Sequence, residues 1–137
     1  MSASFLAAIT DAAHSVPRGT SVVLACSGGG DSVAMTRAAA PVLRACGIRV
    51  VIAHFDHGLR AVGGVADGRF VSALACELGL PVVRRRQRPD PQLRSEVGVQ
   101  AAARQVRLEF LEDLARRLDG ASVWLAQHQD DQLETLW

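Results

Sequence analysis

Apolar positions along the chain follow two alternating rhythms. Phe5, Leu6, Ile9 and Ala13 recur at a helical period, which predicts a short amphipathic helix over 5–14, broken at Pro17-Arg18-Gly19. Residues 21–26 (Ser-Val-Val-Leu-Ala-Cys) form an unbroken apolar run between glycines, the pattern of a buried strand. A glycine-rich segment follows, then a helical stretch over 31–45 that Pro41 would kink or end early. Residues 49–54 predict a second buried strand. The glycines of 58–68 predict a loop. Phe70, Leu74 and Leu78 mark one face of a helix stopped by Gly79, with Pro81 beyond it. A weaker strand over 81–86 and a loop over 87–98 come next. Val99, Ala103, Val106, Phe110 and Leu114 define the clearest helix, 99–118, with the favourable i,i+4 pairs Glu112–Arg116 and Asp113–Arg117 on its wet side. Residues 122–126 predict a fourth strand and 131–137 the start of a last helix.

Strand and helix thus alternate four times, without a repeat. Non-alternating buried strands separated by helices predict an α/β fold: a doubly wound, mainly parallel sheet with helices on both faces, in one domain over 1–137. Ligands on such sheets bind outside the C-terminal strand ends. That edge is predicted to carry 27–32, 54–60 and 127–131. The polar residues with chemical potential therefore gather at one place.

Composition narrows the picture. A chain that is 49% hydrophobic and 21% charged can bury a core and is not a disordered tail. No apolar run approaches the ~18–20 residues of a membrane helix, and the start has no signal-peptide layout, so a cytoplasmic protein without a membrane partner is expected. The net charge of +1 does not by itself announce a nucleic-acid partner. Cys26, Cys46 and Cys76 form no C-x-x-C, so neither a zinc ribbon nor a disulfide framework is predicted. The chain has 15 arginines and no lysine, which excludes a Walker-type phosphate-binding lysine and a Schiff-base nucleophile within it.

Ser27-Gly28-Gly29-Gly30-Asp31-Ser32, between a strand and a helix, has the makings of an anion site. Glycines let backbone amides approach a phosphate, and a helix N-terminus favours negative charge. Asp31 alters the reading, because a carboxylate beside a phosphate repels it unless a cation bridges the two. The expected set is therefore the loop, Mg²⁺ and a polyphosphate. The hydroxyls of Ser27 and Ser32 are candidate donors to phosphate oxygens.

The same six residues match the S-G-G-x-D-S motif of the PP-loop ATP pyrophosphatases. Further segments resemble the tRNA(Ile)-lysidine synthetases within that group: His54-Phe55-Asp56-His57-Gly58-Leu59-Arg60, Ala101-Ala102-Ala103-Arg104-Gln105-Val106-Arg107, and Asp130-Asp131-Gln132-Leu133-Glu134-Thr135. The resemblance runs from about Ser21 to the end. It implies that ATP is cleaved between its α- and β-phosphates to adenylate the wobble cytidine of tRNA(Ile), whose C2 then takes the ε-amine of free lysine. Catalytic roles are implied for Asp31, Arg104 and Asp131, with Mg²⁺ on Asp31 and Asp131. ATP contacts are implied for Ser27, Gly28, Gly29, Gly30, Asp31, Ser32, His54, Asp56, His57 and Arg60, and lysine contacts for His128, Asp131 and Glu134. On a helix, Asp131 and Glu134 would share a face. Arg107 is a further candidate phosphate contact, and association into a homodimer is left open.

The chain departs from that pattern at three places: Gln127 stands where the family usually has His, with His128 one residue on, Gln100 replaces Glu, and Leu108 replaces Tyr. Family members also continue well past this length. The chain is therefore expected to be an N-terminal piece without the tRNA-binding domains, exposing an apolar patch at Leu133, Leu136 and Trp137. Two rival readings are a tRNA cytidine thiolation enzyme, disfavoured by the missing C-x-x-C, and a non-catalytic nucleotide-binding fragment. Zinc on His54, Asp56, His57 and His128 is disfavoured by the lack of a tight ligand motif. Arg84, Arg85, Arg86 and Arg88 read as a solvated strand edge rather than a tRNA contact. Cys26 and Trp124 read as core.

Overall fold

The computed structural model describes residues 3–56, 61–87, 96–126 and 133–136. Along the chain run α1 (Ala3–Ser15), β1 (Ser21–Ala25), α2 (Gly30–Ala45), β2 (Arg49–Asp56), α3 (Ala61–Leu78), β3 (Val82–Arg86), α4 (Glu96–Arg117), β4 (Ser122–Ala126) and β5 (Leu133–Leu136). The sheet order is β3-β2-β1-β4-β5. The first four strands are parallel, with Val23 opposite Val51 and Val123, and Ala53 opposite Val83. The chain moves outward from β1 through β2 to β3 and then crosses back to β4. The order therefore reverses beside β1, and the β1 C-terminus opens on the crevice where doubly wound sheets bind ligands.

Alternate strand residues supply two cores. Val22, Leu24, Ile52 and Trp124 meet Phe5 and Ile9 of α1, Met35 and Leu43 of α2, and Val71 and Leu74 of α3. Val23, Ala53, Phe55 and Val123 meet Phe110, Leu111 and Leu114 of α4 on the opposite face. Both faces of β1 are thus dry, which is why its sequence is continuously apolar rather than alternating.

Three expectations need correction, and a fourth is narrowed. The predicted glycine loop is helical from Ala61, so α3 contains Gly63, Gly64 and Gly68. A glycine costs only ~1 kcal/mol in a helix interior, which packing can outweigh. At Gly68 a β-carbon would meet Arg84 Nη1 at 3.5 Å and the His54 ring at 3.7 Å, ordinary contact distances that do not by themselves require glycine. Next, Phe70 is exposed, whereas Leu74 and Leu78 face the core as expected, joined by Val71 and Ala75. Of the two outcomes expected at Pro41, an early end to the helix is excluded, since α2 runs past it to Ala45. Finally, Leu133–Leu136 is a strand, not a helix, and pairs antiparallel with β4. Four residues reading Leu-Glu-Thr-Leu do not fix a period, and pairing satisfies the backbone along β4. As a strand it sends Leu133 to one core and Leu136 to the other, so the apolar patch expected at these two leucines is absent. Trp137 lies outside the described residues.

Candidate nucleotide site

The segment after β1 is held from three sides. The Cys26 amide donates to the Ala53 carbonyl at 2.8 Å, which extends the β1–β2 ladder up to the loop. The Cys26 carbonyl accepts from Nδ1 of His54 at 2.8 Å. Because a carbonyl only accepts, that contact places a proton on Nδ1, while Nε2 is buried without a hydrogen-bond partner. His54 is only 4% exposed, so it supports the loop from behind.

Within the loop the two serines form a clasp. The Ser27 amide donates to Ser32 Oγ at 3.1 Å, and the two hydroxyls lie 3.0 Å apart. The Gly29 amide donates to Ser27 Oγ, and Ser32 Oγ lies within donating distance of the Gly29 carbonyl and, at 3.8 Å, of Cys26 Sγ. Ser32 is buried, and its hydroxyl ties the ends of the loop together. Gly29 is the N-cap of α2 and brings no side-chain cap, so backbone amides form the helix start, an arrangement suited to an anion. Asp31 lies in the first turn of α2.

Gly28 adopts φ +94°, a left-handed conformation that glycine takes without strain. The space on its open side is taken. A β-carbon there would lie 3.0 Å from Cβ and 3.3 Å from Oδ1 of Asp67 on α3. Sequence reasoning missed Asp67, because the segment before Phe70 reads as loop and the contact exists only if α3 extends back through it.

At the end of β2, Asp56 is buried and pairs with Arg86 Nε at 3.4 Å. The described arginines of β3 lie on the exposed edge of the sheet, as expected, and each also makes a local contact. Arg84 donates to the Gly68 carbonyl and the Ser72 hydroxyl, Arg85 lies 4.9 Å from the Phe110 ring centroid, and Arg86 takes Asp56. On α4, Arg104 is exposed and Arg107 is half-buried one turn later. Burial lowers the pKa of the Arg107 guanidinium from its ordinary value, the neighbouring Arg104 adds to this, and Glu134 on β5 opposes it. The structure therefore brings Arg104, Arg107 and Glu134 into one electrostatic neighbourhood, with Arg107 Nε buried and without a hydrogen-bond partner. His57, Arg60, His128 and Asp131 lie outside the described residues, as does Arg88. With Leu133–Leu136 a strand, the expected sharing of a helix face by Asp131 and Glu134 does not hold.

No group of three His, Cys, Asp or Glu side chains able to hold a metal occurs among the described residues. No helix there is long and apolar enough to cross a membrane.

The family model described as the PP-loop domain matches residues 2–137, and the chain belongs to that family. It is 42% identical over 117 residues to the tRNA(Ile)-lysidine synthase of Thermus thermophilus, which covers 84% of this chain and 22% of that protein. The enzyme of the same name from Thermobifida fusca is 36% identical over 129 residues, covering 94% of this chain and 39% of the relative. The chain thus spans well under half the length of these curated relatives. Among solved structures, an NH3-dependent NAD synthetase from Campylobacter jejuni matches with a TM-score of 0.62 at 15% identity, covering 88% of this chain and 52% of that one. The shared fold is an α/β sheet of mainly parallel strands, and the family implies ATP binding.

Proposed function

We propose that the protein carrying this domain ligates free lysine to C2 of the wobble cytidine of tRNA(Ile). The observation that carries the reading is the glycine loop, clasped by Ser27 and Ser32 at the crevice beside β1, in a chain whose curated relatives are named tRNA(Ile)-lysidine synthases. The oxygen on C2 of the cytidine attacks the α-phosphorus of ATP, and pyrophosphate departs into the loop formed by Ser27, Gly28, Gly29, Gly30 and Ser32. The lysine ε-amine then forms a bond to C2 and gives up a proton, and AMP leaves with the oxygen. Loop amides offset the charge that builds on the departing phosphates. His54 acts by fixing the loop. Asp56, His57 and Arg60 border the nucleotide, and Arg104 neutralises the adenylate. His128, Asp131 and Glu134 receive the lysine ammonium, a role that suits carboxylates. The reaction would take place in the cytoplasm.

The donors present fit Mg²⁺: Asp31 supplies a hard oxygen at the loop, and magnesium is usually held by one or two carboxylates together with phosphate oxygens. When bound, Mg²⁺ supplies charge neutralisation of the polyphosphate. Asp31 and Asp131 are the residues that would hold it.

Incubating the full-length protein with ATP, radiolabelled lysine and tRNA(Ile) should move label into the tRNA, and omitting ATP should prevent it. Label that stays free while ATP is consumed with tRNA(Ile) would reject lysine as the nucleophile.

A further inference from the structure

Asp67 is a half-buried carboxylate set against the loop that the family uses for polyphosphate. Among the described residues it makes neither a hydrogen bond nor an ion pair. Arg84, which reaches the next residue, donates to the Gly68 carbonyl and to Ser72 rather than to Asp67. A partly desolvated carboxylate without a donor is costly, and in a packed location it calls for a reason. Helix stability offers none: Asp67 is seven positions into the eighteen-residue α3, beyond the first turn where an acidic side chain favours the helix dipole. Nor does Asp67 cap the loop, since none of the loop amides donates to it.

What its position does affect is the charge of whatever lies on Gly28. A bare polyphosphate held in this cradle is repelled by Asp31 at the start of α2 and by Asp67 on the facing helix. A polyphosphate carrying a divalent cation is repelled less and can offer the cation to either carboxylate. We infer that Asp67 determines the form of nucleotide accepted, discriminating against metal-free ATP and in favour of the magnesium complex. The inference rests on reading the loop as the ATP site. It assigns α3 a part in nucleotide selection that lies outside the glycine loop and the three other motifs.

The test is isothermal titration of the full-length protein with ATP, in excess Mg²⁺ and in EDTA, for wild type, Asp67→Asn and Asp67→Ala. Asparagine keeps the shape against Gly28 and removes the charge. Wild type should bind the magnesium complex about tenfold or more tighter than bare ATP. Asp67→Asn should tighten bare ATP by roughly three- to tenfold and narrow the ratio accordingly. Asp67→Ala should narrow it too, which separates charge from contact. If Asn leaves the ratio unchanged while Ala weakens both forms alike, Asp67 is only a wall for Gly28 and the inference fails, with the ATP site intact. If wild type binds ATP equally well with and without metal, the inference again fails alone. If wild type binds no ATP in either condition, the reading of the loop fails with it.

Discussion

Asp31→Asn should lower the turnover of the full-length protein by about a hundredfold or more, the scale of losing one charge-stabilising group at a phosphoryl or acyl centre. The same change should barely affect folding. Asp31 lies in the first turn of α2, where its charge favours the helix by ~0.3–1 kcal/mol. The loop clasp is made by Ser27 and Ser32 and does not need the carboxylate. Turnover and urea denaturation on the same samples separate the two effects. A large loss of stability with proportionate loss of turnover would make Asp31 a structural residue. Near-normal turnover would remove it from the chemistry.

The largest stability effect is expected at Trp124. Its side chain is fully buried on β4, opposite Leu24 of the central strand β1, in the core shared by α1, α2 and α3. Trp124→Ala should cost about 3–5 kcal/mol, a large part of the ~5–15 kcal/mol that holds a domain together. Trp124→Phe should be far milder. The indole Nε1 is buried with no acceptor, so losing it forfeits no hydrogen bond and relieves an unsatisfied donor. That relief offsets part of the lost volume, and a net cost under about 1.5 kcal/mol is expected. Chemical denaturation distinguishes the two. A Phe variant as unstable as the Ala variant would show that Nε1 makes a contact that matters.

Burial explains what the sequence revealed of this fold. β1 and β2 are apolar without alternation because helices cover both faces, so their sequences identify both the strands and the doubly wound sheet around them. The turn between β1 and α2 was legible for a related reason: a run of glycines between an apolar strand and a helical stretch marks a break in both. Two kinds of feature were not legible. A short element such as β5 owes its conformation to a partner strand, and Leu-Glu-Thr-Leu reads as well in a helix. The early turns of α3 are glycine-rich and without period, so the helix rests on tertiary packing, with Val71, Leu74 and Ala75 further along it in the core. Asp67 was hidden by the same cause, since its place at Gly28 follows from that helix. The arginines of β3 do lie on an exposed sheet edge, as their composition suggested, although their partners Gly68, Phe110 and Asp56 could not be read from the sequence.

The central claim is that the loop after β1 directs ATP cleavage between the α- and β-phosphates onto tRNA. The direct measurement follows ATP labelled at the α- and γ-phosphates, with the full-length protein, Mg²⁺ and tRNA(Ile), in the presence and absence of lysine. AMP and pyrophosphate should form in equal amounts with tRNA and lysine present. Without lysine the α-label should accumulate on the tRNA, and without tRNA neither product should appear. Release of ADP and inorganic phosphate, or AMP formation that ignores tRNA, would contradict the account.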